Sequence, residues 1–178
     1  APIVYFFVMN DDQRRRILNM FDIDADIRGA GYQQYQGRIA LANGGWTGQG
    51  YLRGDLTSKG IVPEGHNDFI FVSIGEELGF LGCIAVVILL AAICIRVLHD
   101  ARICRKESGK LLCVGFFSML FAQIVINIGM CLSLLPVIGI TLPFFSAGGT
   151  SLFCLYLGVG LVLSVYRHRN SRTIYLHD

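Results

Sequence analysis

The chain has 178 residues, of which 53% are hydrophobic and only 16% charged, with a net charge of +2 and a mean hydropathy of +0.55. Soluble domains carry about 25% charged residues, so an ordinary soluble globule is excluded. The mixed, near-neutral charge contains no basic stripe and excludes a nucleic-acid partner, and the six cysteines show neither a Cys-x-x-Cys pair nor metal-ligand spacing.

In chain order, residues 1–9 are apolar but too short to span a bilayer, and they lack the charged start of a signal peptide. They read as the trailing end of a transmembrane helix. Residues 10–68 are polar. They hold a basic helical patch (Arg14, Arg15, Arg16), acids alternating with apolar residues (Asp22, Asp24, Asp26), and a second short helix over 31–42. A glycine-rich turn follows, Asn43-Gly-Gly-Trp-Thr-Gly-Gln-Gly50.

Three stretches then have the length and apolarity of membrane helices, at 69–96, 111–134 and 149–166, since about 20 apolar residues cross a bilayer core. Arg96, Arg102, Arg105, Lys106 and Lys110 in and beside the 97–110 loop place it in the cytoplasm by the positive-inside rule. Arg167, Arg169 and Arg172 place the 167–178 tail on the same side, two crossings later. Residues 10–68 and the 135–148 linker then lie outside. Residues 135–151, the linker and the start of the next span, carry two prolines and three glycines yet are largely apolar, so the linker is expected to re-enter the membrane edge against protein or a wet cavity. The expected architecture is an all-α, polytopic membrane helical bundle fragment. It comprises about three full transmembrane helices and the end of a fourth, with a large, partly helical extracytoplasmic loop.

The residues that could carry chemistry cluster at the outer boundary. Asp68 stands where the polar segment meets the first span, within Glu64-Gly-His66-Asn-Asp68. A carboxylate half out of water binds its proton more tightly, which suits a general base near neutral pH; on spacing alone a helix N-cap, open equally to Asn67, is the favoured role, and the two are compatible because a cap residue can still face a cavity. Glu64 and His66 are better read as turn residues than as metal ligands. Glu76 and Glu77 lie about two turns into an apolar span, where ionisable groups mark a cavity, a relay or a buried pair, or else sit near the interface. Gln123 and Asn127, at i and i+4, suit hydrogen bonding between helices, with groove lining as the lesser alternative. Ser146-Ala-Gly-Gly-Thr-Ser151 could offer backbone N–H groups to a phosphate at the start of the last helix, or simply allow close packing. Arg14–Arg16, Arg28, Arg38, Arg53 and Lys59 could hold a pyrophosphate or lipid headgroup.

Taken in order, Arg16-Ile17, Gly31-Tyr32-Gln33, Gln36, Gly44-Gly45, Gly48-Gln-Gly50, Pro63-Glu64, His66-Asn-Asp-Phe-Ile-Phe71, Gly75-Glu-Glu-Leu-Gly79, Asn127-Ile-Gly129, Leu135-Pro136, Leu142-Pro143 and Gly148-Gly-Thr-Ser151 resemble the shape, elongation, division and sporulation (SEDS) family, which includes RodA and FtsW. The segment at 50–62 and the ending Leu163-Ser-Val-Tyr-Arg-His168 look closer to RodA than to FtsW.

The resemblance implies an integral membrane glycosyltransferase of about ten helices in the bacterial plasma (inner) membrane, multi-pass, with a cytoplasmic C-terminus. It would polymerise lipid II for cell elongation or division, partnered by a class B penicillin-binding protein. It implies that the three spans are helices eight to ten, that six more precede them, and that this piece is inactive without that half. Asp68 matches the family's essential acid in Pro-Glu-x-His-x-Asp-Phe. Candidate substrate-binding residues around it are Gln36, Arg38, Glu64, His66, Glu76, Gln123, Asn127, Ser146, Gly148 and Gly149. No cofactor is evident; a divalent cation or loop arginines could stabilise the leaving pyrophosphate. Gly37, where a serine usually follows the glutamine, and Ala147, where tyrosine commonly precedes Gly-Gly, depart from the pattern. The rival readings are a lipid II flippase or other membrane transporter, and a scaffold for an active partner.

Overall fold

The computed structural model describes residues 30–54, 56 and 67–168; the expectations for 1–29, for Lys59, Glu64 and His66, and for 169–178 lie outside them. Among the described residues the regular structure is wholly helical: α1 (Ala30–Gly44), α2 (Ile70–Ile103), α3 (Glu107–Cys131) and α4 (Gly149–Arg167). The last three are each long and apolar enough to cross a membrane.

Large apolar side chains cover the outside of this bundle. Leu81, Ile88, Leu89 and Ile95 of α2, Leu111 and Phe121 of α3, and Phe153, Leu157 and Leu163 of α4 are all exposed. A helix apolar on every face suits hydrocarbon rather than water. The inside is built largely of smaller residues. Cys94, Leu120 and Leu155 meet midway along the bundle, and Val97, Ala101, Cys113 and Val162 meet at its basic end. At Gly158 an added Cβ would collide with the Phe116 ring. Such small residues let membrane helices approach, because lipid tails supply no hydrophobic drive between them.

The helix ends differ from expectation in ways the chain explains. The segment expected as a loop at 97–110 is helical through Ile103 and again from Glu107, since no proline or glycine interrupts 96–103. Buried Asp100 pairs there with Arg96 (3.5 Å), whose guanidinium lies over the Tyr166 ring of α4. At the other end α3 stops at Cys131. Ser133 takes φ +59°, and the N–H groups of Leu134 and Leu135 both turn back to the Gly129 carbonyl. Pro136 and Pro143 then keep the chain non-helical as far as Gly148.

Helix α2 is broken at Gly79 (φ 70°, ψ −165°), a region open essentially to glycine alone. In an unbroken helix the N–H groups of Phe80 and Leu81 would bond back to Glu76 and Glu77. Instead they donate to the carbonyls of Gly45 (2.9 Å) and Trp46 (3.3 Å), while the Glu76 and Glu77 carbonyls accept from Gln49 (3.0 Å) and Gly50 (2.9 Å). The glycine-rich turn thus satisfies the polar groups that the break exposes, as a low-dielectric setting demands. Gly48 and Gly79 face each other so closely that a Cβ on either meets the other's backbone. This junction locks α1 and the turn onto α2.

Candidate functional site

Asp68 sits in the turn just before α2, half-buried. The helix is capped by Phe69, without a side-chain bond from that residue, so Phe69 rather than Asp68 or Asn67 occupies the N-cap position. Phe69 and Phe71 anchor the turn in a core shared with Val72, Ala40 of α1, Met130 and Cys131 of α3, and Leu142 of the linker. Four segments distant in sequence therefore meet beside this carboxylate.

Asn127 reaches it from α3. The side chain is 0% exposed, and its Nδ2 donates to the Asp68 carbonyl (2.8 Å) and the Ile140 carbonyl (2.6 Å). One turn on, the Cys131 thiol points at the same Asp68 carbonyl (3.7 Å) and at Asn127 Oδ1 (3.8 Å). The polar side chain inside an apolar span is thus an interhelical and linker tie, facing main chain.

Ser146 makes the matching tie from the linker. Its Oγ donates to the Asn67 carbonyl (2.8 Å) and accepts from the Leu142 N–H (2.7 Å). Beyond it Gly148 caps α4 and Gly149 opens it, without a side-chain capping bond; Thr141 and Ser151 hydroxyls pair across this corner at 3.1 Å. Gly139, at φ +79°, brings the linker against the carboxylate itself: a Cβ built there lies 3.3 Å from Asp68 Oδ2.

The remaining candidates stand further off. Gln36 is half-buried and Arg38 exposed; they flank Gly37, whose face packs on Phe69 and Val72, so α1 lies beside the Asp68 turn. Glu76 is 0% exposed, and its Oε1 accepts the Leu56 N–H at 2.9 Å. It therefore ties the segment after the glycine-rich turn to α2. Glu76→Ala is expected to cost about 2 kcal/mol, because it leaves the Leu56 N–H without its acceptor, and Glu76→Gln, which keeps an acceptor, distinctly less. Thermal melting in detergent checks the order. Gln123 lies one turn along α3 from Asn127, with its buried Oε1 unpaired among the described residues.

Gln34 escaped the sequence reading, which favoured its neighbours Gln33 and Gln36. It is 2% exposed, and its Nε2 donates to Leu135 O (2.7 Å) and, more weakly, Met130 O (3.4 Å), pinning the start of the linker. Nothing in one sequence separates three glutamines within four positions of a helix; only the neighbouring carbonyls do. Among the described residues, no three His, Cys, Asp or Glu gather where they could hold a metal ion. An apolar hollow of about 420 Å³ opens between α1, α2 and α3, lined by Leu41, Phe71, Phe80, Ile84 and Ile128 among others. Its walls suit hydrocarbon and include none of the candidate residues.

Comparison with known proteins matches this arrangement. The chain is 39% identical over 168 residues to the peptidoglycan glycosyltransferase MrdB of Escherichia coli, covering 94% of this chain and 45% of that protein. It is 38% identical over 165 residues to the probable peptidoglycan glycosyltransferase FtsW of Geobacter metallireducens, covering 92% and 44%. The chain thus spans just under half the length of these relatives. Among solved structures, a peptidoglycan synthase complex described as coordinating polymerization and crosslinking superposes with a TM-score of 0.76 at 32% identity, covering 96% of this chain and 46% of that one. The Rod shape determining protein RodA of Thermus thermophilus superposes with a TM-score of 0.57 at 28% identity, covering 94% and 60%. The cell cycle protein model that groups FtsW, RodA and SpoVE matches residues 1–171. By this match over nearly its whole length, the chain belongs to the FtsW/RodA/SpoVE family of cell cycle proteins.

Proposed function

We propose that this chain carries the catalytic general base of a peptidoglycan glycosyltransferase that polymerises lipid II at the outer face of the bacterial plasma membrane. Relatives named for that activity support the reaction class. The observation that carries the residue assignment is the setting of Asp68. It is a half-buried carboxylate at one end of an apolar bundle, with its carbonyl held by Asn127 and one carboxylate oxygen facing a glycine.

In this reading Asp68 takes the proton of the GlcNAc 4-hydroxyl of lipid II. The oxygen attacks the anomeric carbon of the growing strand's terminal MurNAc, with inversion. The bond to undecaprenyl pyrophosphate breaks and that group leaves with the electron pair. Fixed positive charge near the leaving oxygens lowers the barrier; Arg38 and Arg53, both exposed, are the described candidates. A crosslinking partner of the penicillin-binding class fits the relative solved in a synthase complex.

Labelled lipid II offered to the complete protein with its partner tests the assignment. Glycan polymer is expected from the parent and none above background from Asp68→Ala. Movement of labelled lipid between leaflets with no polymer would point instead to a transporter. The orientation has its own check. A cysteine placed at His168 is expected to react with an impermeant thiol reagent only after the inner face is opened, whereas one placed at the exposed Trp46 should react in intact cells stripped of their outer envelope.

A further inference from the structure

We infer that Asn127, with Ser146 as its counterpart, is a positioning residue for Asp68. The inference rests on the reading of Asp68 as the general base and adds the means by which that base is aimed. A carboxamide nitrogen carries two hydrogens. On Asn127 one goes to the Asp68 carbonyl and the other to the Ile140 carbonyl, at 2.8 and 2.6 Å. A single –NH₂ group therefore sets the spacing between the residue that bears the carboxylate and the linker that passes over it.

Ser146 does the same one residue earlier in the turn and two residues later in the linker. Its hydroxyl joins the Asn67 carbonyl to the Leu142 N–H. Next to Asn127-held Ile140 stands Gly139, where an added Cβ would lie 3.3 Å from Asp68 Oδ2. The start of the linker is tied by Gln34 to Leu135 O. The linker is thus held at its start, middle and end, and two of these three ties land on the peptide groups of Asn67 and Asp68.

Both side chains sit out of reach of substrate: Asn127 is 0% and Ser146 4% exposed. Their effect on the reaction passes through the main chain of Asp68. Proton transfer needs the carboxylate within hydrogen-bond reach of the hydroxyl it serves, and a displacement of about 1 Å costs on the order of 10²-fold in rate. Ground-state binding of a large lipid-linked disaccharide, spread over many contacts, is far less sensitive to that displacement.

The test is steady-state polymerisation of lipid II by the complete protein with its partner, carrying Asn127→Ala, Ser146→Ala or Ser146→Thr. Turnover is expected to fall about 10²-fold for the two alanine variants, with KM for lipid II unchanged within about twofold. Ser146→Thr, which keeps the hydroxyl, should retain most of the parent turnover. Leu120→Ala, a core truncation midway along the bundle, serves as the stability control and should lower the melting temperature without this loss of turnover. Parent turnover in both alanine variants overturns the inference. So does a loss of turnover in the alanine variants that Leu120→Ala reproduces at equal loss of melting temperature. The base assignment itself fails separately, through Asp68→Ala that still polymerises.

Discussion

Asp68→Asn in the complete protein is expected to lower lipid II polymerisation by about 10²–10⁴-fold, the usual worth of a positioned general base, with folding and lipid II binding intact. Asparagine has the shape of aspartate. It keeps the carbonyl that Asn127 and Cys131 hold and fits beside Gly139 without a new clash. What it lacks is an oxygen able to take the hydroxyl proton. Asp68→Glu keeps that oxygen and moves it by one methylene, so its turnover should fall between parent and Asp68→Asn. Polymer formation from labelled lipid II, measured beside lipid II binding and melting temperature, separates the cases. Parent-like rates in Asp68→Asn would place the chemistry elsewhere.

Gly79→Ala should be among the most damaging substitutions for the fold, at about 4 kcal/mol. The backbone at Gly79 lies at φ 70° and ψ −165°, which costs any other residue about 1–3 kcal/mol. The added Cβ would also meet the backbone nitrogens of Thr47 and Gly48. Relieving that collision means moving the turn away, which loosens the bonds from Phe80 and Leu81 to Gly45 and Trp46, and those from Gln49 and Gly50 to Glu76 and Glu77. Each is worth about 1 kcal/mol net, and leaving the groups unpaired beside lipid costs more. Melting in detergent, or the yield of monodisperse protein, reads the loss. Gly45→Ala serves as the comparison: Gly45 also has positive φ (+53°), but its added Cβ meets nothing within 4 Å, so only the smaller conformational cost should appear.

These two predictions rest on different parts of the information in the chain. The helical membrane bundle was legible from composition and run length. A window of about 20 apolar residues has few places to go other than a bilayer, and 69–96, 111–134 and 149–166 each overlap most of one of the helices α2, α3 and α4. Family membership was legible as well, from motif blocks in a fixed order. Asp68 stood out because a carboxylate at the edge of such a run is chemically conspicuous.

Polar groups inside the bundle could be flagged by sequence but not given partners. Gln123 and Asn127 share a helix face and looked alike; Asn127 ties two carbonyls while Gln123 leaves Oε1 unpaired among the described residues. Glu76 could be read as marking a cavity, a relay or a buried pair, or as lying near the interface; the structure gives its Oε1 the Leu56 N–H. Gln34 was indistinguishable from the glutamines around it. The break at Gly79 was hidden too, because glycine within an apolar run is as consistent with close packing as with a kink.

Hydrophobic runs and motif blocks are properties of neighbouring residues, so the chain alone determined the class of fold, the family and the acid most worth testing. Where that acid is held depends on atoms more than 50 positions apart, Asp68 against Asn127 and Asn67 against Ser146. Hydrogen bonds act only over about 3 Å, and a sequence carries no distance between residues until the helices have packed.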